Sequence, residues 1–378
     1  MRPVEAGSPP VPPAPDAAGI DALAGLLSDA ARPVIVAGRG ALGARTEIEA
    51  LAERCGALLA TSAVAKGLFH GNPWSLDVSG GFASPLAAEL IASADVVVGI
   101  GCALNMWTMR HGRLIGPGAR VVQVDVDADA IGAHRAVDLG IVGDAATVAR
   151  AVAPLVGSRS GWRDEKVRER IRRELRWRDV PYDDTSRDGL IDPRTATIGL
   201  DDLLPAERVL AVDSGNFMGY PSMFLSVPDE RGFCFTQAYQ SIGLGLATAI
   251  GAAVASPQRL PVAALGDGGA LMGIAELDTV VRLGLPMVVV VYNDAAYGAE
   301  VHHFGPDDLP LDTVLFPETD FASIGRGFGT DAVTVRTPRD LDGVASWLDG
   351  PRERPLVVDV KVTRDQPSWW LEEAFRGH

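Results

Sequence analysis

The stretch Gly266–Gly298 reads GDGGALMGIAELDTVVRLGLPMVVVVYNDAAYG. The apolar run at 261–265 (PVAAL) stops at Gly-Asp-Gly-Gly, and the apolar run at 287–292 (MVVVVY) stops at Asn-Asp. Two short apolar runs joined by a helix-like segment predict parallel, buried strands with a helical crossover. Because the carboxyl ends of parallel strands meet at one edge of a sheet, we expect Asp267 and Asp294 to converge there.

The two acids indicate a cation site. Converging carboxylates with no lysine or arginine expected beside them are typical ligands of a hard divalent cation. Mg²⁺ uses one or two carboxylates and completes its shell with phosphate oxygens and water. Gly266, Gly268 and Gly269 would let the backbone approach an anion and offer N–H groups at a helix start. The stretch therefore predicts a Mg²⁺-bridged diphosphate, although either motif alone is equally typical of an ordinary turn.

The rest of the chain predicts an α/β protein with two doubly wound parallel-sheet domains. Strand and helix patterns alternate over residues 17–157, a central Rossmann-like domain, and again over 191–378, a diphosphate-binding domain. Residues 1–16 are proline-rich and predict an extended tether. Residues 158–190 predict a charged helix and linker, and the mixed signs favour internal ion pairs over a nucleic-acid surface.

Composition restricts the partners and the compartment. The 378-residue chain carries a net charge of −15, which argues against nucleic acid or an anionic membrane surface as a partner. Its three widely spaced cysteines predict free thiols in a reducing compartment. No secretory apolar region and no apolar run of membrane-spanning length are evident, so we expect a cytoplasmic protein without a membrane partner.

The spacing from Gly-Asp-Gly to Asn-Asp resembles the thiamine-diphosphate signature of the acetolactate synthase/pyruvate decarboxylase superfamily. That signature is Gly-Asp-Gly followed, some two dozen residues later, by Asn-Asn. The resemblance implies thiamine diphosphate as cofactor, with Mg²⁺ held by Asp267, Asp294 and the carbonyl oxygen of Ala296. The chain departs from the signature at Asp294, where the family has asparagine. This departure adds a negative charge beside the diphosphate.

Two further segments resemble the family's cofactor-binding loops. Asp213–Asn216 is similar to the loop on the diphosphate side of the cofactor. The segment 238–252 resembles the one whose bulky apolar residue bends the cofactor, which maps to Ile242, with core packing as the alternative. The carbonyl of Gln240 would face the aminopyrimidine. The cofactor-binding residues implied are Ser214, Gly215, Asn216, Gln240, Ile242, Gly266, Asp267, Gly268, Gly269, Asn293, Asp294 and Ala296.

Residues 17–157 resemble the family's central domain, which in some members carries FAD or the ADP part of coenzyme A. The segment associated with flavin is replaced here by ALNMWTMR at 103–110, which argues against FAD. The GRGALG turn at 38–43 lacks dinucleotide-binding spacing and is a weak nucleotide signal.

The resemblance covers two of the family's three domains. The third, an N-terminal pyrimidine domain, supplies the glutamate that activates the cofactor. We expect that glutamate on a separate pyrimidine-domain subunit, in a heteromer with two copies of each chain; a fragment or a degenerate, inactive protein is the alternative. In this chain His302 and His303 are the candidate catalytic proton donors, with surface or partner contacts as their alternative role.

The function expected from the resemblance is that of the large subunit of a split, acetolactate synthase-like carboligase. It would act on a small-molecule 2-oxo acid by decarboxylation and acyl transfer. A 2-oxo acid decarboxylase is the close alternative. A non-catalytic binding or regulatory protein on a degenerate enzyme scaffold is the alternative from another class.

Overall fold

The computed structural model describes residues 11–375, except for the side chains of Ala238, Ala374 and Phe375. Most of the predicted tether, residues 1–10, lies outside this range. Residues 11–16 form no regular element, and Asp16 caps the first helix by accepting a hydrogen bond from the Gly19 N–H at 2.7 Å.

Within the described residues, the first sheet has six parallel strands in the order β3-β2-β1-β4-β5-β6. The connection from β3 crosses over to β4, beside β1, so the chain reverses its direction of progress between β1 and β4. The elements are β1 (Pro33–Ala37), β2 (Leu58–Thr61), β3 (Ser75–Val78), β4 (Val96–Ile100), β5 (Arg120–Asp125), β6 (Leu139–Val142), α1 (Ala17–Asp29), α2 (Arg45–Cys55), α3 (Pro85–Ala92) and α4 (Ala145–Val152).

The second sheet, likewise six parallel strands in the described part, has the order β11-β12-β10-β9-β7-β8. Its strands are β7 (Arg208–Val212), β8 (Phe233–Phe235), β9 (Leu260–Gly266), β10 (Val288–Asn293), β11 (Asp331–Val335) and β12 (Leu356–Lys361). The helices from the linker onward are α5 (Glu165–Glu174), α6 (Pro193–Leu203), α7 (Gly219–Phe224), α8 (Gly245–Ala255), α9 (Asp267–Gly273), α10 (Glu276–Arg282), α11 (Gly298–Phe304), α12 (Phe321–Phe328), α13 (Asp342–Asp349) and α14 (Trp369–Phe375). The predicted α/β fold with two parallel sheets is confirmed.

Strand β10 shows how the sequence builds the second sheet. Every residue of VVVVYN is buried, as expected for a parallel strand covered by helices on both faces. Val288 and Val290 pack into one core, whereas Val289 and Val291 pack into the core on the opposite face. This two-sided burial fixes β10 in the middle of the sheet and brings its carboxyl end to the same edge as that of its neighbour β9.

Two predicted helices have different bounds in the structure. The single crossover helix expected after Gly-Asp-Gly is divided into α9 and α10. The Gly/Ala-rich run from Ser241 to Ala255 predicts a helix, but α8 begins only at Gly245, because Gln240 and Gly243 have left-handed φ angles of 50° and 84°. These irregular turns lie beside the predicted cofactor loops.

The charged run folds as α5, and the predicted ion pairs form on it. Arg172 and Glu169 pair at 2.6 Å on the exposed face. The other face is not solvated, because Val167 and Ile171 pack into the central domain's core and Arg170 pairs with Glu89 of α3 at 2.8 Å. The run is therefore a docked helix rather than a free one.

No helix in the described part of the chain is long and apolar enough to cross a membrane. All three cysteines are free: Cys55 and Cys102 are buried and Cys234 is partly exposed.

Candidate cofactor-binding site

Three acidic residues follow the carboxyl ends of three neighbouring strands. Asp213 follows β7, Asp267 follows β9 and Asp294 follows β10. Asp213 is fully buried and Asp267 is 1% exposed. Three acids at one buried edge are costly without compensation, and so indicate a function for this edge.

The carboxylates of Asp267 and Asp294 lie close enough to repel each other. Burial raises the pKa of Asp267 to about 6, and burial together with the charge of Asp267 raises the pKa of Asp294 well above its ordinary value. Asp267 accepts hydrogen bonds from the N–H groups of Gly268 and Ala295, both at 2.7 Å. The predicted convergence of the two acids is therefore observed, and a bound cation would remove their repulsion.

The chemistry of these groups fits a hard cation. Among the described residues no three His, Cys, Asp or Glu side chains cluster to hold a metal by themselves. A cation between Asp267 and Asp294 would thus need further oxygen ligands from the backbone, from a bound phosphate or from water, as Mg²⁺ commonly has. The Ala296 N–H lies near both carboxylates and lowers the pKa of each. The role of the Ala296 carbonyl as a third ligand stays a prediction.

Two glycines allow the loops of the site to pack together. A β-carbon on Gly298 would lie 2.5 Å from Asp294 Oδ2 and 3.4 Å from Asn216 Nδ2. A β-carbon on Gly269 would lie 2.9 Å from Asp213 Oδ2 and 3.2 Å from Ile242 Cγ2. The loops after β7, β9 and β10 and the segment before α8 therefore meet at these positions.

Ile242 projects from a turn that Asp213 holds in place. The Gly243 N–H donates to Asp213 Oδ2 at 2.9 Å, while Ile242 lies over Gly269 and stays 39% exposed. An apolar side chain left exposed at a buried polar edge suits contact with a ligand better than core packing. Gln240 is exposed in the same turn. Sequence reasoning did not assign Asp213 this anchoring role, although its position after a strand matches that of Asp267.

The loop Ser214–Asn216 is held by the C-terminal segment. Asn216 Oδ1 accepts from the Ser368 N–H at 2.9 Å, and its carbonyl accepts from Ser368 Oγ at 2.7 Å and Trp370 Nε1 at 2.9 Å. The Ser214 hydroxyl donates to Gln237. Gly215 has φ 142°, a conformation that favours glycine. The contacts of Ser368 and Trp370 with this loop had no signal in the sequence.

Comparison with known families identifies both domains. Residues 20–152 match the central domain of thiamine pyrophosphate enzymes, and residues 213–360 match their C-terminal TPP binding domain. The chain belongs to the thiamine pyrophosphate enzyme family. The second match contains all the loops that meet at Gly269 and Gly298, so the converging acids lie in this family's cofactor-binding domain.

Curated relatives of this thiamine pyrophosphate enzyme have two kinds of name. A sulfoacetaldehyde acetyltransferase from Rhodobacter capsulatus is 32% identical, with 96% of this chain aligned to 66% of that protein. An acetolactate synthase large subunit from Parasynechococcus marenigrum is 29% identical, with 92% of this chain aligned to 57% of that protein. A sulfoacetaldehyde acetyltransferase from Castellaniella defragrans is 28% identical, with 92% of this chain aligned to 63% of that protein. The chain thus spans less than two thirds of the length of these relatives.

Asn293, the last residue of β10, fixes the position of the strand end that precedes Asp294. Its side chain is 2% exposed, and its Nδ2 donates to the Thr319 carbonyl at 2.8 Å and to Asp359 Oδ1 at 3.0 Å. These bonds tie the end of β10 to β12 and to the loop before α12. The predicted contact of Asn293 with the cofactor stays a prediction.

His302 and His303 lie on α11, the helix that begins at Gly298. His302 is partly buried, and burial lowers its pKa, which favours the neutral imidazole. His303 is exposed, with its ring 4.8 Å from that of Phe304. His302 lies one turn beyond Gly298, so it is the better placed of the two. The catalytic role of both stays a prediction.

One expectation about the electrostatics of the site was wrong. The sequence pattern placed no lysine or arginine beside the acids, but Arg364 Nη1 donates to the Asp294 carbonyl at 2.9 Å and to the Ala295 carbonyl at 3.3 Å. Arg364 follows β12 and is 70 residues from Asp294 in sequence. The parallel pairing of β10 with β12 brings the two together.

The glycine-rich turn of the central domain packs against its own sheet. The N–H groups of Gly38 and Gly40 donate to the carbonyls of Ile100 and Gly101 at 2.9 and 3.0 Å. A β-carbon on Gly38 would lie 2.2 Å from the Gly101 oxygen, so close packing accounts for this glycine. A cavity of about 600 Å³ extends from this turn to Gln237 and Gln240 of the second domain. The argument against FAD stays a prediction.

Proposed function

We propose that this chain binds Mg²⁺ and thiamine diphosphate and forms the diphosphate-binding part of a carboligase that acts on a 2-oxo acid. The observation that carries the proposal is the convergence of two mutually repelling carboxylates, the buried Asp267 and the partly buried Asp294, inside a TPP binding domain. The Ala295 N–H, next to Asp294, donates to Asp267 Oδ2, and the charge of Asp267 raises the pKa of Asp294. A neutral or apolar ligand would not compensate the repulsion between these two carboxylates. A divalent cation that bridges to a diphosphate would relieve it.

Each residue around the acids has a definite part in this proposal. Asp267, Asp294 and the Ala296 carbonyl would hold Mg²⁺. The Gly269 N–H, near the start of α9, would face the diphosphate, whereas the Gly268 N–H already donates to Asp267 Oδ1 and would orient that ligand. Ile242 would support the bend of the cofactor from its exposed position above Gly269. Thiamine diphosphate, when bound, would supply a thiazolium ring that stabilises negative charge on the carbonyl carbon of the substrate.

His302 would hold or release a proton on the substrate side of this site. Its lowered pKa keeps it neutral near physiological pH, so one ring nitrogen can accept a proton and the other can donate one. The buried Nε2 atom of His302 has no hydrogen-bond partner among the described residues.

The names of the relatives favour group transfer as the reaction class. The relatives named above are acetyltransferases and an acetolactate synthase. We therefore infer decarboxylation of a 2-oxo acid followed by transfer of the acyl group to an acceptor, rather than decarboxylation alone. The cavity along Gln237 and Gln240 offers room for a small acceptor.

We also propose that a separate pyrimidine-domain subunit completes the site, in a heteromer with two copies of each chain. The segment that carries Ile242 and the neighbouring helix α9 expose apolar side chains, which in a monomer would face water. These side chains are Tyr239 at 81%, Ile242 at 39%, Leu244 at 41%, Leu271 at 42% and Met272 at 56% exposed. A partner covering this surface would bring the activating glutamate to the pyrimidine end of the cofactor. The free buried thiols support a reducing, cytoplasmic setting.

The test is calorimetric titration of the purified chain with thiamine diphosphate, with and without Mg²⁺. We expect binding that requires Mg²⁺. The chain is then co-expressed with a candidate subunit that carries a pyrimidine-domain pattern, and products from pyruvate are analysed with and without added acceptor aldehydes and 2-oxo acids. Acetaldehyde alone would favour the decarboxylase, and an acyl adduct the carboligase.

The alternative from another class is a non-catalytic binding or regulatory protein. It predicts that the chain does not bind thiamine diphosphate or Mg²⁺, even when a partner covers the apolar surface. That result would overturn the enzyme proposal. Cofactor binding without turnover in the heteromer would overturn the catalytic part alone.

A further inference from the structure

Arg364 lies beside the site but belongs to none of the sequence motifs that predict it. It lies in the loop after β12 and is exposed, but its guanidinium turns toward the loop that carries Asp294. The contacts are made to the carbonyl oxygens of Asp294 and Ala295, at 2.9 and 3.3 Å. Arg187, by contrast, pairs with Asp365, the residue that follows Arg364.

The loop that Arg364 contacts is held in an unusual conformation. Ala295 has a φ of 56°, a left-handed value that costs energy for a residue with a side chain. Its N–H donates to Asp267 Oδ2, and its carbonyl accepts from the Phe316 N–H at 3.1 Å as well as from Arg364. The loop is therefore held on one side by a carboxylate and on the other by a cation.

The charges also require a partner for Asp294. An asparagine at this position would be a neutral ligand, whereas the carboxylate brings one extra negative charge to a site that already contains Asp267 and would receive a diphosphate. Arg364 brings one positive charge to the same loop, because its Nη1 lies 2.9 Å from the backbone carbonyl oxygen of Asp294.

We propose that Arg364 is a positioning residue that supplies the countercharge for Asp294 and so permits a carboxylate as the second ligand of the metal. This inference rests on the proposed function, since it concerns the same Mg²⁺ and diphosphate site. The proposal makes Arg364 and Asp294 an energetic pair: the arginine is needed because the ligand is Asp, and is dispensable when the ligand is neutral.

A double-mutant cycle tests this pairing. Four chains are compared: the natural one, Arg364→Gln, Asp294→Asn and the double variant. For each, the affinity for thiamine diphosphate is measured by calorimetry at saturating Mg²⁺ and low salt. We expect Arg364→Gln to weaken binding about fivefold or more beside Asp294 and less than about twofold beside asparagine, as for a partly screened charge pair. The difference should shrink as salt is added.

Two controls separate charge from structure. Arg364→Lys keeps the charge and should recover most of the affinity. Arg187→Gln removes a neighbouring exposed charge that contacts Asp365 and should give the same small change in both backgrounds. Equal losses from Arg364→Gln in both backgrounds would mean that it only holds the backbone, and no loss in either would mean that it has no role; both outcomes overturn the inference. If the natural chain binds no cofactor, the proposed function itself fails, and the inference with it.

Discussion

The two sheets of this protein both have glycine-rich loops after the carboxyl ends of parallel strands, but the loops do different things. In the central domain, Gly38 and Gly40 follow β1, and their N–H groups bond to the carbonyls after β4. In the second domain, the loops after β9 and β10 place Asp267 and Asp294 together, with raised pKa values. One edge is satisfied by its own backbone, whereas the other carries two mutually repelling carboxylates whose repulsion a bound cation would remove.

This difference teaches that a parallel sheet with a glycine-rich turn does not by itself make a binding site. The geometry of the edge is common to both domains. The buried charge is what distinguishes them, because a buried and mutually repelling pair costs folding energy that a structural role would not require. The following predictions test this difference between the two edges, in order of decreasing expected effect.

Removing Asp267 should abolish cofactor binding at the strand edge of the second domain. We expect Asp267→Ala to weaken Mg²⁺-dependent binding of thiamine diphosphate by about 100-fold or more, since it deletes a proposed metal ligand. Calorimetry measures the affinity, and circular dichroism checks that the fold is intact. Asp278→Ala, which removes an exposed acid paired with Arg282 on α10, is the control and should bind normally. Normal binding by Asp267→Ala would refute the metal site.

Crowding the same edge should weaken binding without unfolding the chain. A β-carbon on Gly298 would lie 2.5 Å from Asp294 Oδ2 and displace that carboxylate. We expect Gly298→Ala to weaken cofactor binding about tenfold, which corresponds to an overpacking cost of about 1–2 kcal/mol. Gly251→Ala, in α8 with open space around it, is the matched control. If both variants bind equally well, the close packing at Gly298 has no part in the site.

Crowding the central-domain edge should have the opposite result. A β-carbon on Gly38 would lie 2.2 Å from the Gly101 oxygen, which is backbone and cannot move aside. We expect Gly38→Ala to lower the melting temperature by about 5 °C while cofactor affinity stays unchanged. Gly43→Ala, with nothing within 4 Å, should melt like the natural chain. A large loss of cofactor affinity in Gly38→Ala would remove the distinction between the two edges.

The acids should also make the metal-free chain sensitive to pH. The pKa of Asp267 rises from 3.8 to about 6 on folding, so its protonated form favours the folded state. This contribution is present below pH 3.8 and is lost as the pH rises through about 6. In EDTA, we expect the melting temperature to fall from about pH 5 to about pH 7 by a few degrees more in the natural chain than in Asp267→Asn. Parallel melting curves for the two proteins would contradict this prediction, and Asp278→Asn serves as control.

The local pattern predicted the strands well and the irregular turns poorly. Runs such as PVIVA and LLAT coincide with β1 and β2, because valine- and leucine-rich segments of this length are stable only as buried strands. The short edge strands β3 and β8 were missed, since neither has a continuous apolar run of that kind. The late start of α8 was also missed, because the Gly243 N–H bonds to Asp213, 30 residues away.

The sequence was enough to predict the fold class, the family and the position of Asp267 and Asp294 at one edge, because strand ends and acids are local features. The groups that surround these acids became evident only in the folded chain. Arg364 reaches the Asp294 loop through the pairing of β12 with β10, and Ser368 holds Asn216 across 152 residues of chain. Contacts of this kind depend on how distant segments pack, and no local pattern of residue types records them.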